Sequence, residues 1–100
     1  MEKPRITFGV KKDEQGEPVE VLLYVNRAGR DRLVAELQYL SEQSDHFHMQ
    51  PDELIAEVLI GEVPYEADEV IPGHVKVMFR PDEWDRKYFP HVMKDDEADA

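Results

Sequence analysis

One hundred residues with 41% apolar side chains make a single domain with enough apolar material for a core. The chain holds no cysteine, which excludes disulfides, thiolate catalysis and cysteine–zinc sites. A net charge of −11 weighs against direct contact with nucleic acid, because phosphate binding needs clustered Lys and Arg, and no apolar run approaches the ~20 residues that span a bilayer.

The first pattern is alternation. Ile6, Phe8 and Val10 share one face of a strand over residues 5–11. Residues 13–18 read as a turn around Gly16 and Pro18, and a second strand follows from Val19 to Asn26. Its Val19, Val21, Leu23 and Val25 lie on one face, with Glu20, Leu22 and Tyr24 on the other. The spacing then predicts a helix over 28–43, with Leu33, Leu37 and Leu40 as its apolar stripe and Asn26 as its N-cap. Gly29 in its first turn is expected to weaken the helix start slightly.

Residues 45–50 alternate again, Phe47 and Met49 against His46 and His48. Pro51 ends that strand or opens a short helix, and residues 51–60 fit helix or strand. Residues 62–73, with Pro64 and Pro72, read as loop, and His74 to Arg80 read as a strand with Val75, Val77 and Phe79 on one face. Pro81-Asp82-Glu83 starts a short helix that carries Trp84 and Tyr88. The expected fold is α+β over residues 1–93: a mainly antiparallel four-stranded sheet, one long helix on one face and a short C-terminal helix. Residues 94–100 form an acidic, frayed tail.

Charge is local. From Leu33 to Val75 there is no Lys or Arg, and ten acids bring that stretch to −10. A field of this kind repels anions and attracts basic partners or metal ions. Glu53, Glu57, Glu62, Glu66, Asp68 and Glu69 are the candidate carboxylates for pairing with Lys or Arg of a partner. Tyr24, His46, His48 and Trp84 are candidate anchors beside them, since aromatic residues are enriched in binding hot spots. The bland readings are a solvated charge run, Trp84 packing a terminal helix onto the core, and residues 51–72 folding over the Tyr24 face. No nucleophile elbow, Walker or dinucleotide motif occurs, so no catalytic residue is assigned. The one chemical alternative is a metal held by His46, His48 and His74, which strand pairing could bring to one face.

The leucine-striped helix, His46-Phe47-His48-Met49, the Asp-Glu-Leu at 52–54 and the run Val70-Ile71-Pro72-Gly73-His74-Val75-Lys76-Val77 follow one another in a suggestive order. Over about residues 20 to 80 this order resembles the small immunity proteins found beside bacterial polymorphic toxins. The resemblance implies a binding protein that neutralises a toxin; composition separately leads to the expectation of a soluble, cytoplasmic protein, and no cofactor or enzymatic role is assigned. The charge block agrees independently, because an acidic surface can occupy a basic nuclease cleft as a decoy for phosphate. A DNA mimic or anti-defence inhibitor would show the same physics, and a homodimer through an open sheet face is a further reading.

Overall fold

The computed structural model describes residues 2–51 and 57–94. The N-terminal hairpin forms as its alternation predicts: β1 (Ile6–Lys12) pairs antiparallel with β2 (Pro18–Val25), Ile6 opposite Val25 and Phe8 opposite Leu23. Asp13 closes the turn, its side chain accepting from the backbone N–H groups of Gln15 and Glu17, each at 2.9 Å. Gly16 takes the positive φ of 84° that the turn demands and that L side chains resist.

Helix α1 (Arg27–Tyr39) starts where expected and stops four residues early. Asn26 caps it and does more besides. Its side-chain oxygen accepts from Gly29 N–H at 2.7 Å and from Arg5 N–H at 2.9 Å, while its amide donates to the Lys3 carbonyl at 2.8 Å. Gly29 lies so close to β1 that a Cβ there would fall 2.2 Å from the Arg5 carbonyl oxygen. The glycine that weakens the helix locally is therefore what lets the helix dock on the strand. Leu33 and Leu40 pack against the core, whereas Leu37 is half exposed.

The sheet departs from expectation. In place of one four-stranded sheet there are, among the described residues, two three-stranded sheets; the α+β class stands, with a longer and a shorter helix. β3 (His46–Gln50) is the centre of the second sheet, between β4 (Val58–Leu59), which runs parallel to it, and β6 (Val75–Met78), which runs antiparallel. β5 (Glu69–Val70) lies within the stretch expected to be loop and pairs with the free edge of β1. Two-residue strands carry no periodicity, so the divided pairing leaves no mark in the pattern of side chains. Residues 58–59 of the helix-or-strand segment are strand; Glu53 and the rest of 52–56 lie outside the described residues. α2 (Asp82–Tyr88) forms as expected and a 3-10 turn, Pro90–Met93, follows it.

The core joins the two sheets. Ile6, Phe47, Met49, Val58 and Ile60 are buried together, with Phe8, Leu33, Leu40, Val75 and Val77 against them. Each large apolar side chain buried in full contributes roughly 1.5–3 kcal/mol. Ile6 belongs to the first sheet by its backbone and to this cluster by its side chain, and its carbonyl accepts from Gly61 N–H at 2.7 Å. Away from Ile6 the same sheet face opens to solvent: Val25, Leu23 and Val21 are 40%, 46% and 66% exposed in turn.

Candidate functional site

The opposite face of the first sheet, which carries Tyr24, is covered. Residues 61–69 cross it. Gly61 is pressed against Thr7, where a Cβ would meet the hydroxyl oxygen at 2.6 Å. The Tyr65 ring stacks on Tyr24 with centroids 4.0 Å apart and planes 6° off parallel. Glu69 turns inward over Gly9 and is only 5% exposed. The Tyr24 hydroxyl donates to its carboxylate, 3.0 Å from Oε1 and 2.9 Å from Oε2. Desolvation, then the hydrogen bond and charge of Glu69, push the Tyr24 phenol up to about 12. Tyr24 and Glu69 thus hold a loop onto a sheet, while Glu62, Glu66 and Asp68 stand exposed on that loop between them. Among the described residues the one ion pair that any of the three makes is Asp68 with Lys11, at 3.9 Å.

The second cluster lies on the outer face of the other sheet. Phe47 and Met49 enter the core, so the pleat of β3 sends His46 and His48 outward. His74, just before β6, joins them. The His46 and His48 ring centroids are 5.0 Å apart, edge to face; those of His48 and His74 are 5.2 Å apart and stacked. The three imidazoles that the sequence singles out therefore meet on one face. Carboxylates flank them. Asp45 Oδ1 lies 2.7 Å from His46 Nδ1, and Glu57 Oε2 accepts from His48 N–H at 2.9 Å and lies 3.1 Å from its Nδ1. The hydrogen bond with His46, helped by Arg80, holds the Asp45 carboxyl below its ordinary range, and the His48 backbone N–H does the same for Glu57.

Ring-nitrogen lone pairs lie in the ring planes. Two stacked rings project them side by side, whereas zinc needs ligands converging on a tetrahedron. Among the described residues no group of three or more His, Asp or Glu is placed to hold a metal ion.

No protein-family model matches the chain, and no curated protein or solved structure is significantly similar to it. Trp84 stands apart from the imidazoles but is linked to them through Asp45. The Arg80 guanidinium carbon is 4.2 Å from the Trp84 ring centroid, and Arg80 Nη1 is 3.8 Å from Asp45 Oδ2. Trp84 also meets Tyr88 and Phe89, with centroids at 4.7 Å and 5.4 Å. The sequence signal for this linkage was present: Arg80 and Trp84 are four apart at a helix start, and Asp45 precedes His46. Tyr65, which carries the loop, had no comparable signal. Among the described residues no helix is long and apolar enough to cross a membrane.

Proposed function

We propose that this protein is an acidic docking module that binds and masks a basic protein partner, in the manner of an immunity protein against a toxin or of an inhibitor that imitates nucleic acid. The observation that carries the reading is the subset of carboxylates in the Leu33–Val75 block that no cation neutralises among the described residues; Glu36, Asp45 and Glu57 do have partners, in Arg32, in Arg80 with His46, and in His48. Glu42, Glu62 and Glu66 make no ion pair among the described residues, and Asp68 reaches only Lys11 at the edge of ion-pair distance. Carboxylates left unpaired on a protein of charge −11 add self-repulsion, a cost that docking with a cationic surface removes. The hydrophobic companions are at hand, for Val63 and Tyr65 are 77% and 53% exposed between those acids. Exposed apolar groups within a charged rim are the usual anatomy of a contact surface.

Glu69 is omitted from the docking set because it is buried, and Tyr24 because its ring and hydroxyl are engaged. Glu62, Glu66 and Asp68 remain as steering charges, with His46 and His48 on β3, Glu57 just before β4 and Trp84 on α2. The test is kinetic. The partner captured by the immobilised protein is purified, and its association rate is measured from low to physiological salt. Steering predicts a rate that falls about 10-fold or more across that range. The variant Glu62→Lys, Glu66→Lys, Asp68→Lys should lose most of the low-salt acceleration. An unchanged low-salt rate in that variant removes the role given to these carboxylates.

A further inference from the structure

Beside α2 lies a cavity of about 430 Å³ whose lining divides by chemistry. Phe79, Trp84 and Tyr88 supply aromatic walls, and Glu42, Asp45 and Glu83 supply carboxylates. Among the described lining residues Lys87 is the one cation, and its ammonium lies 5.2 Å from the Tyr88 ring centroid. Asp45 is already divided between His46 and Arg80. Glu42 and Glu83 make no ion pair among the described residues.

We propose that this cavity receives an arginine side chain of the basic partner, its guanidinium laid on an aromatic wall and paired with Glu42 or Glu83. The inference rests on the docking reading and names the residue that docking requires. Three observations carry it. Aromatic faces attract cations electrostatically, and partial removal from water strengthens the attraction. The free carboxylates supply the charge and the acceptor geometry that a planar fork of N–H donors matches in pairs. The molecule also displays the same chemistry internally, where Arg80 sits on Trp84 and reaches Asp45. Arginine is specified over lysine because a guanidinium is flat, weakly hydrated and able to stack and pair together, whereas an ammonium is a hydrated point charge. The volume falls within the roughly 300–1,000 Å³ typical of small-ligand sites, which is room enough for one side chain.

Trp84 is the single tryptophan of the chain and it lines the cavity, so its fluorescence reports directly on occupancy. Blocked hexa-arginine, hexa-lysine and hexa-citrulline peptides are titrated at low salt, with calorimetry in parallel. Expected is a saturable change in Trp84 emission with hexa-arginine, at least about 10-fold weaker affinity for hexa-lysine and no response to the uncharged citrulline peptide. The double variant Glu42→Gln, Glu83→Gln should weaken hexa-arginine binding about 10-fold while its thermal melt stays near the parent's. Equal affinity for lysine and arginine peptides would overturn the proposal, since only diffuse charge would then be at work. So would calorimetric binding of hexa-arginine that leaves Trp84 emission unmoved or the double variant unaffected; docking would then proceed on another acidic face, and the functional reading would survive. Failure of both cationic peptides to bind at low salt would remove the inference and the docking reading together.

Discussion

The buried carboxylate of Glu69 offers a sharp test of how the two sheets and their covering loop fit. Replacing Gly9 by Ala places a methyl group 2.6 Å from Glu69 Oε1 and 2.7 Å from its other two carboxyl atoms. Ordinary contact begins near 3.4 Å, so the carboxylate must retreat by about 0.8 Å, the difference between 3.4 and 2.6. The Tyr24 hydroxyl holds both carboxylate oxygens at 2.9–3.0 Å, so a displacement of that size strains or breaks its hydrogen bond. Overpacking of this kind costs about 1–3 kcal/mol, and for a domain of this length each kcal/mol lowers the melting temperature by roughly 4–8 °C. Gly9→Ala alone should therefore melt about 4–24 °C below the parent. Glu69→Ala alone should also destabilise, because it removes a packed side chain and its bond to Tyr24. In the double variant the new methyl enters the space the carboxylate has left, so the two losses should fall short of adding by about 1 kcal/mol or more. Urea denaturation of the four proteins, with a shared slope, measures this coupling. Additivity within about 0.5 kcal/mol would show that the carboxylate does not lie over Gly9.

The remaining expectations concern the helix start, an alkaline transition and metal. Gly29→Ala should destabilise by urea melt although alanine is the better helix former by about 1 kcal/mol, because its Cβ would collide with the Arg5 carbonyl; a stabilised variant would refute the docking described for α1. Asn26→Ala should cost about 1–2 kcal/mol through the lost cap, and Asn26→Asp less, since it keeps the acceptor oxygen and adds favourable charge at the helix N-terminus while giving up the bond to the Lys3 carbonyl. The folded state holds the Tyr24 proton up to about 12, above the ordinary phenol value of 10.0. The stability tied to that proton is complete below the unfolded value and drains away as pH rises from there toward the folded one. Denaturation across this window should show the decline in the parent and a flatter profile in Tyr24→Phe; matching profiles would refute the shift. Zinc should leave the melting temperature where it is, and a clear rise on adding it would revive the histidine metal reading.

Legibility in the sequence followed length of pattern. The hairpin, α1 and β3 each run long enough for a period to declare itself, and the outward pair His46 and His48 follows from Phe47 and Met49 pointing in. β4 and β5 are two residues each, too short for any period, so the split of one expected sheet into two was invisible. Glu69 misled for a different reason. In a run of acids each carboxylate looks solvated, and nothing local distinguishes the one that a glycine and a tyrosine on other strands are shaped to receive. The Tyr24 face reads in the sequence either as an exposed patch or as a face covered by residues 51–72, and the cover is what forms, through residues 61–69, while the valine face of β2 is left half open. Which side a loop crosses depends on distant partners, here Thr7, Gly9 and Tyr24, and not on its own composition.

Ile6 is shared property. Its peptide group is held in one ladder, its side chain fills the other sheet's interior, and its carbonyl takes a bond from Gly61. Neither half can breathe apart from its neighbour without stripping this residue of something. Amide hydrogens in the middles of β1 and β3 should accordingly exchange with deuterium at one common, slow rate set by whole-molecule opening, and trimming Ile6 to alanine should split that rate into two.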